Sequence, residues 1–256
     1  MRVDAEMTGG FEDHFSRVSR QYAAHRPVYP PGLANFLAEL SPRAGLAWEA
    51  GCGSGQLTLG LARRFERVLA TDPSAPQIEN ATSHPRVTYE CRRCDESGLA
   101  ANSADLAVAA QAAHWFDLPA YYAEVRRVAR PGAAAALVGY GLTRVGARFD
   151  ELVERLYSEI LGAYWPPQRA LVDAAYATMA FPFVEIQAPP MQMEAAWDFG
   201  EMIGYLNTWS AADAYLKREG RSAVAELEPA LAAAWGDPAS RRRVTWPLFV
   251  RAGRVT

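Results

Sequence analysis

The stretch Trp48-Glu-Ala-Gly-Cys-Gly-Ser-Gly55 limits what this chain can fold into more than any other. The apolar run Leu46-Ala47-Trp48 suits a short buried strand, and after the glycines Leu57, Leu61 and Phe65 recur at helical spacing. Strand, glycine turn and helix form the context in which such glycines carry meaning. Gly51, Gly53 and Gly55 remove every β-carbon where a ligand must approach the backbone. The helix that follows turns its unpaired N–H groups toward the same spot. This arrangement predicts a nucleotide-like guest.

The spacing is tighter than a dinucleotide fingerprint, whose third glycine would fall at Gln56. Glu49, two residues ahead of Gly51, would repel a pyrophosphate but suits a ligand bearing positive charge. The run Arg67 to Asp72 reads as a second strand ending in a carboxylate, 21 residues beyond Gly51. Doubly wound folds use an acid at that offset to accept ribose hydroxyls. A capping role for Asp72 ahead of Pro73 and Ser74 is compatible with it.

An acidic residue followed by GxGxG resembles the first motif of the class I S-adenosylmethionine (SAM)-dependent methyltransferases. The resemblance implies an α/β fold: a Rossmann-like, doubly wound sheet of seven strands with the last antiparallel, and a helical cap. It implies SAM as cofactor, leaving as S-adenosylhomocysteine (SAH), with no metal. Glu49, near the amino group, and Gly51, Cys52, Gly53, Gly55, Asp72 and Pro73 are the cofactor contacts expected from it.

Phe11, Phe15, Val18 and Tyr22 fall at helical spacing, ahead of Arg26-Pro27-Val-Tyr29-Pro30. This segment is similar to the Y…RPxYP stretch that lies over the SAM site in the family. Arg26 then offers a guanidinium fork to the SAM carboxylate, and Tyr22 helps exclude water; the other reading is a solvated arginine before a proline turn. Val87 to Cys91 reads as the third strand. The family's acid-then-alanine pattern is broken after it by Arg93-Cys94-Asp95, so adenine contact by Cys94 and Asp95 competes with a plain charged loop.

Ser103 to Ala110 reads as the fourth strand and runs into Gln111-Ala-Ala-His114-Trp115. Ligands bind beyond the C-terminal ends of parallel strands, which puts Gln111, His114 and Trp115 near the reactive methyl. His114 serves there either as a general base or as a hydrogen-bond donor. Tyr121 to Val128 reads as a helix and Ala133 to Tyr140 as the fifth strand. From Thr143 the pattern becomes helical and aromatic, with helices over Phe149 to Tyr164, Gly200 to Ser210 and Ala223 to Trp235. Phe181 to Gln192 reads as a sixth strand broken at Pro189-Pro190, and Val244 to Arg251 as a last strand whose Pro247 suits an edge.

YWPPQR at Tyr164, GYLNTWS at Gly204 and WPLFVRAGR at Trp246 are similar to a subgroup that includes trans-aconitate and related small-molecule carboxyl methyltransferases. That likeness implies an acceptor site walled by Trp115, Tyr164, Trp165, Arg169, Tyr205 and Trp209. The resulting division is an N-terminal cap segment (1–32), a SAM-binding core (33–142), a helical cap with the sixth strand (143–243) and a last core strand (244–256).

Composition narrows the partners. A net charge of −3 over 256 residues provides no broad positive field for nucleic acid, and no apolar run approaches a membrane span of about 18 residues. A small-molecule acceptor is expected, methylated at a carboxylate oxygen, with N- or hydroxyl O-methylation and a SAM-binding module without turnover as the alternatives, and with monomer or homodimer both open. Three cysteines and no signal-peptide pattern suit a reducing, cytoplasmic setting. Cys91-Arg-Arg-Cys94 lacks the second ligand pair of a zinc site.

Overall fold

The computed structural model describes residues 26–256; the expected N-terminal helix and Tyr22 lie outside them. The chain runs α1 (Pro31–Leu40), β1 (Leu46–Ala50), α2 (Thr58–Ala62), β2 (Arg67–Asp72), α3 (Ala75–Glu79), β3 (Val87–Cys91), β4 (Ala104–Ala110), α4 (Leu118–Val128) and β5 (Ala129–Tyr140). Then come α5 (Ala147–Arg155), α6 (Arg169–Asp173), β6 (Val184–Gln187), β7 (Met191–Trp197), α7 (Phe199–Asn207), α8 (Ser210–Glu219), α9 (Ala223–Trp235) and β8 (Arg242–Arg254).

The strands form one sheet in the order β3-β2-β1-β4-β5-β8-β6, with β7 also paired to β8. β1 to β5 are mutually parallel, and β8 is antiparallel to β5. β1 is buried over its whole length, as its unbroken apolar reading requires of a strand covered on both faces. The order reverses between β1 and β4, so the loops after these two strands flank one crevice. Leu57, Leu61 and Phe65 pack on one face of the sheet with Leu33 and Leu37. On the other face lie Tyr121, Tyr122, Val125 and Val128 of α4, whose first turn is capped by Asp117 through the Ala120 N–H.

Beyond β5 several details differ from the expectation. The sheet has eight strands, because Pro189 and Pro190 split the sixth into β6 and β7, both of which pair with β8. β8 is therefore interior rather than an edge. Pro247 is tolerated because its carbonyl, and with it the missing N–H, points to the β5 side just beyond Tyr140, where that ladder ends at Gly141. Finally, the helix expected over Phe149 to Tyr164 stops at Arg155. It continues as a π turn (Leu156–Ile160) and a 3-10 turn (Gly162–Tyr164), such irregular turns being common at functional sites.

The cap has its own core, in which Phe149, Tyr205, Trp209, Trp235 and Trp246 are all buried. α8 was not expected. Its buried stripe of Ala211, Ala212 and Tyr215 gives a weak apolar period, and Gly220 ends it in the left-handed region. β8 joins the cap to the sheet, and Gly253 lets β6 approach it closely: an added β-carbon would collide with the Val184 carbonyl oxygen, which is backbone. Gly253→Ala should destabilise the fold by about 1–3 kcal/mol, lowering Tm by several degrees in a thermal melt. An unchanged Tm would mean that β6 is not held as described.

Candidate active site

The glycine turn is held by two groups at the end of β2. The N–H groups of Gly51 and Cys52 both donate to the Thr71 carbonyl, at 2.7 and 3.0 Å. Asp72 accepts from the Gly53 N–H through Oδ2 and from the Ser74 N–H through Oδ1, each at 2.9 Å. Gly51, Gly53 and Gly55 all have left-handed backbone, with φ of +68°, +55° and +93°. Their surroundings separate their roles. A β-carbon on Gly51 would stand 2.5 Å from Cβ of Ala112, and one on Gly55 would stand 2.6 Å from the Tyr89 hydroxyl; Gly53 has its nearest such neighbour at 3.5 Å. Gly51 and Gly55 thus serve close packing of the chain on itself, and Gly53 is where a ligand has room.

A cavity of about 790 Å³ opens beside this turn. Of the expected cofactor contacts, Arg26, Glu49, Gly51, Cys52, Gly53, Asp72, Pro73, Cys94 and Gln111 border it. Gly55 does not, being turned against Tyr89. Asp95 is also absent from the wall, its carboxylate being paired with Arg93 at 2.9 and 3.2 Å. Burial, followed by the charge of Asp95, pushes the Cys94 thiol up to about 12, which keeps it protonated and unreactive. Gln77, which no sequence motif marked, is buried on the same wall, and its Oε1 has no hydrogen-bond partner among the described residues.

Glu49 is 1 % exposed and accepts a 2.5 Å hydrogen bond from the Thr58 hydroxyl. Burial pushes its carboxyl from 4.5 up to about 8; the Thr58 bond opposes this and the negative charge of Asp72 adds to it. A buried carboxyl beside a second carboxylate is a site short of positive charge. Together with an unpartnered amide oxygen and an open glycine, these residues fit a ligand that carries an ammonium and hydroxyl or amino donors, as SAM does.

A smaller cavity of about 50 Å³ lies beyond β4 and β5 and shares Arg26, Gln111, Trp115, Tyr140 and Trp165 with the larger one. Gln111 has φ of +53°, unusual for a residue with a side chain. It is held there by its N–H to Val138 (2.8 Å) and by the Tyr140 N–H donating to its Oε1 (3.0 Å). Arg26 donates to the Tyr140 hydroxyl at 2.8 Å and to the Thr208 carbonyl at 3.2 Å, and lies over the Tyr205 ring. His114, on the 3-10 turn Ala113–Trp115, borders the smaller cavity, and its Nδ1 is 2.8 Å from the Tyr176 hydroxyl. Burial, and then the charge of Arg169, pulls its pKa down to about 3, so the ring is neutral at pH 7.

The expected acceptor-site aromatics divide between the two cavities. Tyr205 and Trp209 are buried walls of the smaller one, and Trp115 and Trp165 border both. Tyr164 borders the larger one only and donates to Glu219 at 2.6 Å. Arg169 is stacked on Trp165, and its Nε donates to Tyr157 at 2.7 Å and to Asp173 at 3.2 Å. Tyr140 went unmarked, although its position at the C-terminal end of β5 is a legible signal.

A Rossmann-like sheet with a cavity at its switch point, an acid-led glycine turn and an acid ending the second strand define an α/β enzyme that binds an adenosyl ligand. Residues 48–137 match a family model described as a methyltransferase domain. The chain is 32% identical over 229 residues to a provisionally named methyltransferase of Dictyostelium discoideum, with 88% of this chain and 87% of that one covered. It is 31% identical over 172 residues to an uncharacterised methyltransferase of Mycobacterium tuberculosis, covering 65% of this chain and 64% of that one. The solved structure of a provisionally assigned type II methyltransferase from Anaeromyxobacter dehalogenans superposes with a TM-score of 0.84 at 52% identity, over 90% of this chain and 97% of that one. The chain belongs to the class I SAM-dependent methyltransferases. Among the described residues no cluster of three or more His, Cys, Asp and Glu side chains could hold a metal ion, and no helix is long and apolar enough to cross a membrane.

The raised carboxyl of Glu49 has a consequence for stability. Between about pH 4.5 and 8 the folded ligand-free protein binds this proton more tightly than the unfolded chain does. Stability therefore falls as pH rises through that window. Glu49→Gln removes the difference, so in denaturant unfolding without ligand it should gain stability relative to wild type at pH 8 and much less at pH 5. An equal effect at both pH values would contradict the buried, protonated carboxyl.

Proposed function

We propose that the chain transfers the methyl group of SAM to a carboxylate oxygen of a small-molecule acceptor. The observation that carries this reading is the smaller cavity: among the described residues its walls hold Arg26 and Arg169 and not one carboxylate. An anionic acceptor suits such a lining, and the aromatic walls of Trp115, Trp165, Tyr205 and Trp209 suit exclusion of water from it. The likeness of the cap segments to carboxyl methyltransferases supports the same conclusion.

His114 supports it from another direction. A ring whose pKa lies near 3 is too weak a base to take the proton of a hydroxyl or an ammonium. A carboxylate is already ionised at neutral pH and needs no base. SAM supplies an electrophilic methyl on its sulfonium, so the protein's task is alignment and dryness. In this reading Glu49 takes the ammonium of SAM, Asp72 the ribose hydroxyls, and Gly53 gives the room for its close approach to the backbone. Cys94 and Pro73 line the adenosyl end, where Asp95 would take part only by leaving Arg93. Arg26, which borders both cavities, holds the methionine carboxylate, and Arg169, whose pairing with Asp173 and Tyr157 is through Nε, serves the acceptor.

Labelled SAM offered with small organic acids should give methyl esters, recognised by release of methanol in base. Arg169→Ala should raise KM for such an acid at least about tenfold, ~1.4 kcal/mol, with affinity for SAH nearly unchanged. Transfer to amines or alcohols with none to acids would overturn the carboxylate reading.

A further inference from the structure

Between α6 and β6 the chain makes a turn that its sequence does not invite. Ala175 and Tyr176 both have left-handed backbone, with φ of +50° and +59°, although neither is glycine. Such residues persist only where their surroundings over-determine them, and they gather at functional sites. Here Arg251 of β8 provides the constraint. Its Nη1 donates to the carbonyls of Tyr176 at 3.1 Å and Met179 at 2.5 Å, while Nε and Nη2 engage Glu185. Phe249, also on β8, meets the Tyr176 ring edge to face at 5.0 Å. The product of this bracing is a fully buried tyrosine whose hydroxyl lies 2.8 Å from His114 Nδ1.

We propose that Tyr176 is a positioning residue that fixes His114 as the Nε2–H tautomer, so that His114 offers the methyl acceptor a hydrogen bond and does not act as a base. The proton count carries the assignment. A buried hydroxyl must find an acceptor for its proton, and among the described residues the Tyr176 O–H meets one, His114 Nδ1. Nδ1 is then the lone-pair nitrogen, and the proton of the neutral ring sits on Nε2. That nitrogen is the one left for the cavity that His114 borders with Arg169. An N–H donor beside a guanidinium orients an anionic oxygen without removing its charge, which sharpens the carboxylate reading above and rests on it for the ligand's identity alone.

The test uses the full chain labelled with 15N-histidine, at neutral pH, with the His114 signals assigned by their loss in His114→Gln. The expected spectrum has a protonated, pyrrole-like Nε2 and an unprotonated, pyridine-like Nδ1. In Tyr176→Phe the two shifts should move toward each other as the tautomers mix, with unchanged SAH affinity reporting an intact fold. A protonated Nδ1 in the wild-type protein overturns the proposal without any variant, as does a Tyr176→Phe protein that keeps the wild-type shifts. Neither spectrum requires a methyl acceptor, so a failed transfer assay and a failed tautomer assignment are separate outcomes.

Discussion

One carboxylate ties the glycine turn after β1 to the start of α3. Asp72, at the end of β2, takes the N–H of Gly53 in the turn after β1 and the N–H of Ser74 at the start of α3. Hydrogen bonds to an ionised acceptor are each worth roughly 1.5–3 kcal/mol, and these two add to the bonds that the Gly51 and Cys52 N–H groups make to the Thr71 carbonyl. The turn must be fixed, because Gly51 lies against Ala112 and Gly55 against Tyr89 with no room for a β-carbon. Glu49, Gly53 and Asp72 can border a single cavity only while that packing holds.

Much of this was legible because each rule involved acts locally. β2 and β3 have the limits their apolar and turn residues predict, and α9 runs over the expected Ala223 to Trp235. The glycine turn, Glu49 and Asp72 lie within one strand-turn-helix-strand unit, so a fixed spacing reports on a fixed geometry. Where the residues have to satisfy two neighbours at once the reading weakened. Pro247 signals an edge to any rule that considers one strand, yet it pairs with β7 and lies just past the last pair that β8 makes with β5. Asp95 has the right charge for an adenine contact, and Arg93 two residues earlier claims it.

The surroundings of the smaller cavity were less legible, for a related reason. Tyr176 reaches His114 across 62 residues through a left-handed turn with no glycine to announce it, held by an arginine 75 residues further on. No periodicity encodes such a contact. The aromatics of the cap were recognisable as a group, from the seven Trp and eleven Tyr of the chain and from the likeness of the segments that carry them. Which of them would face the smaller cavity depended on the π turn after α5 and on α8, neither of which has a strong sequence pattern. The division of labour is physical. The wall of the larger cavity is specified by short-range backbone geometry, and that of the smaller one by long-range packing of large rings around two guanidiniums.

The central claim is that Glu49 and Asp72 act on one ligand in one cavity. Calorimetric titration of the full chain tests it most directly, with SAH and NADH as ligands and Asp72→Ala as the comparison protein. The account predicts saturable heat with SAH and none with NADH. It also predicts affinity for SAH at least about tenfold weaker in Asp72→Ala, ~1.4 kcal/mol. SAH binding that is absent from the wild-type protein, or undiminished in Asp72→Ala, would contradict it.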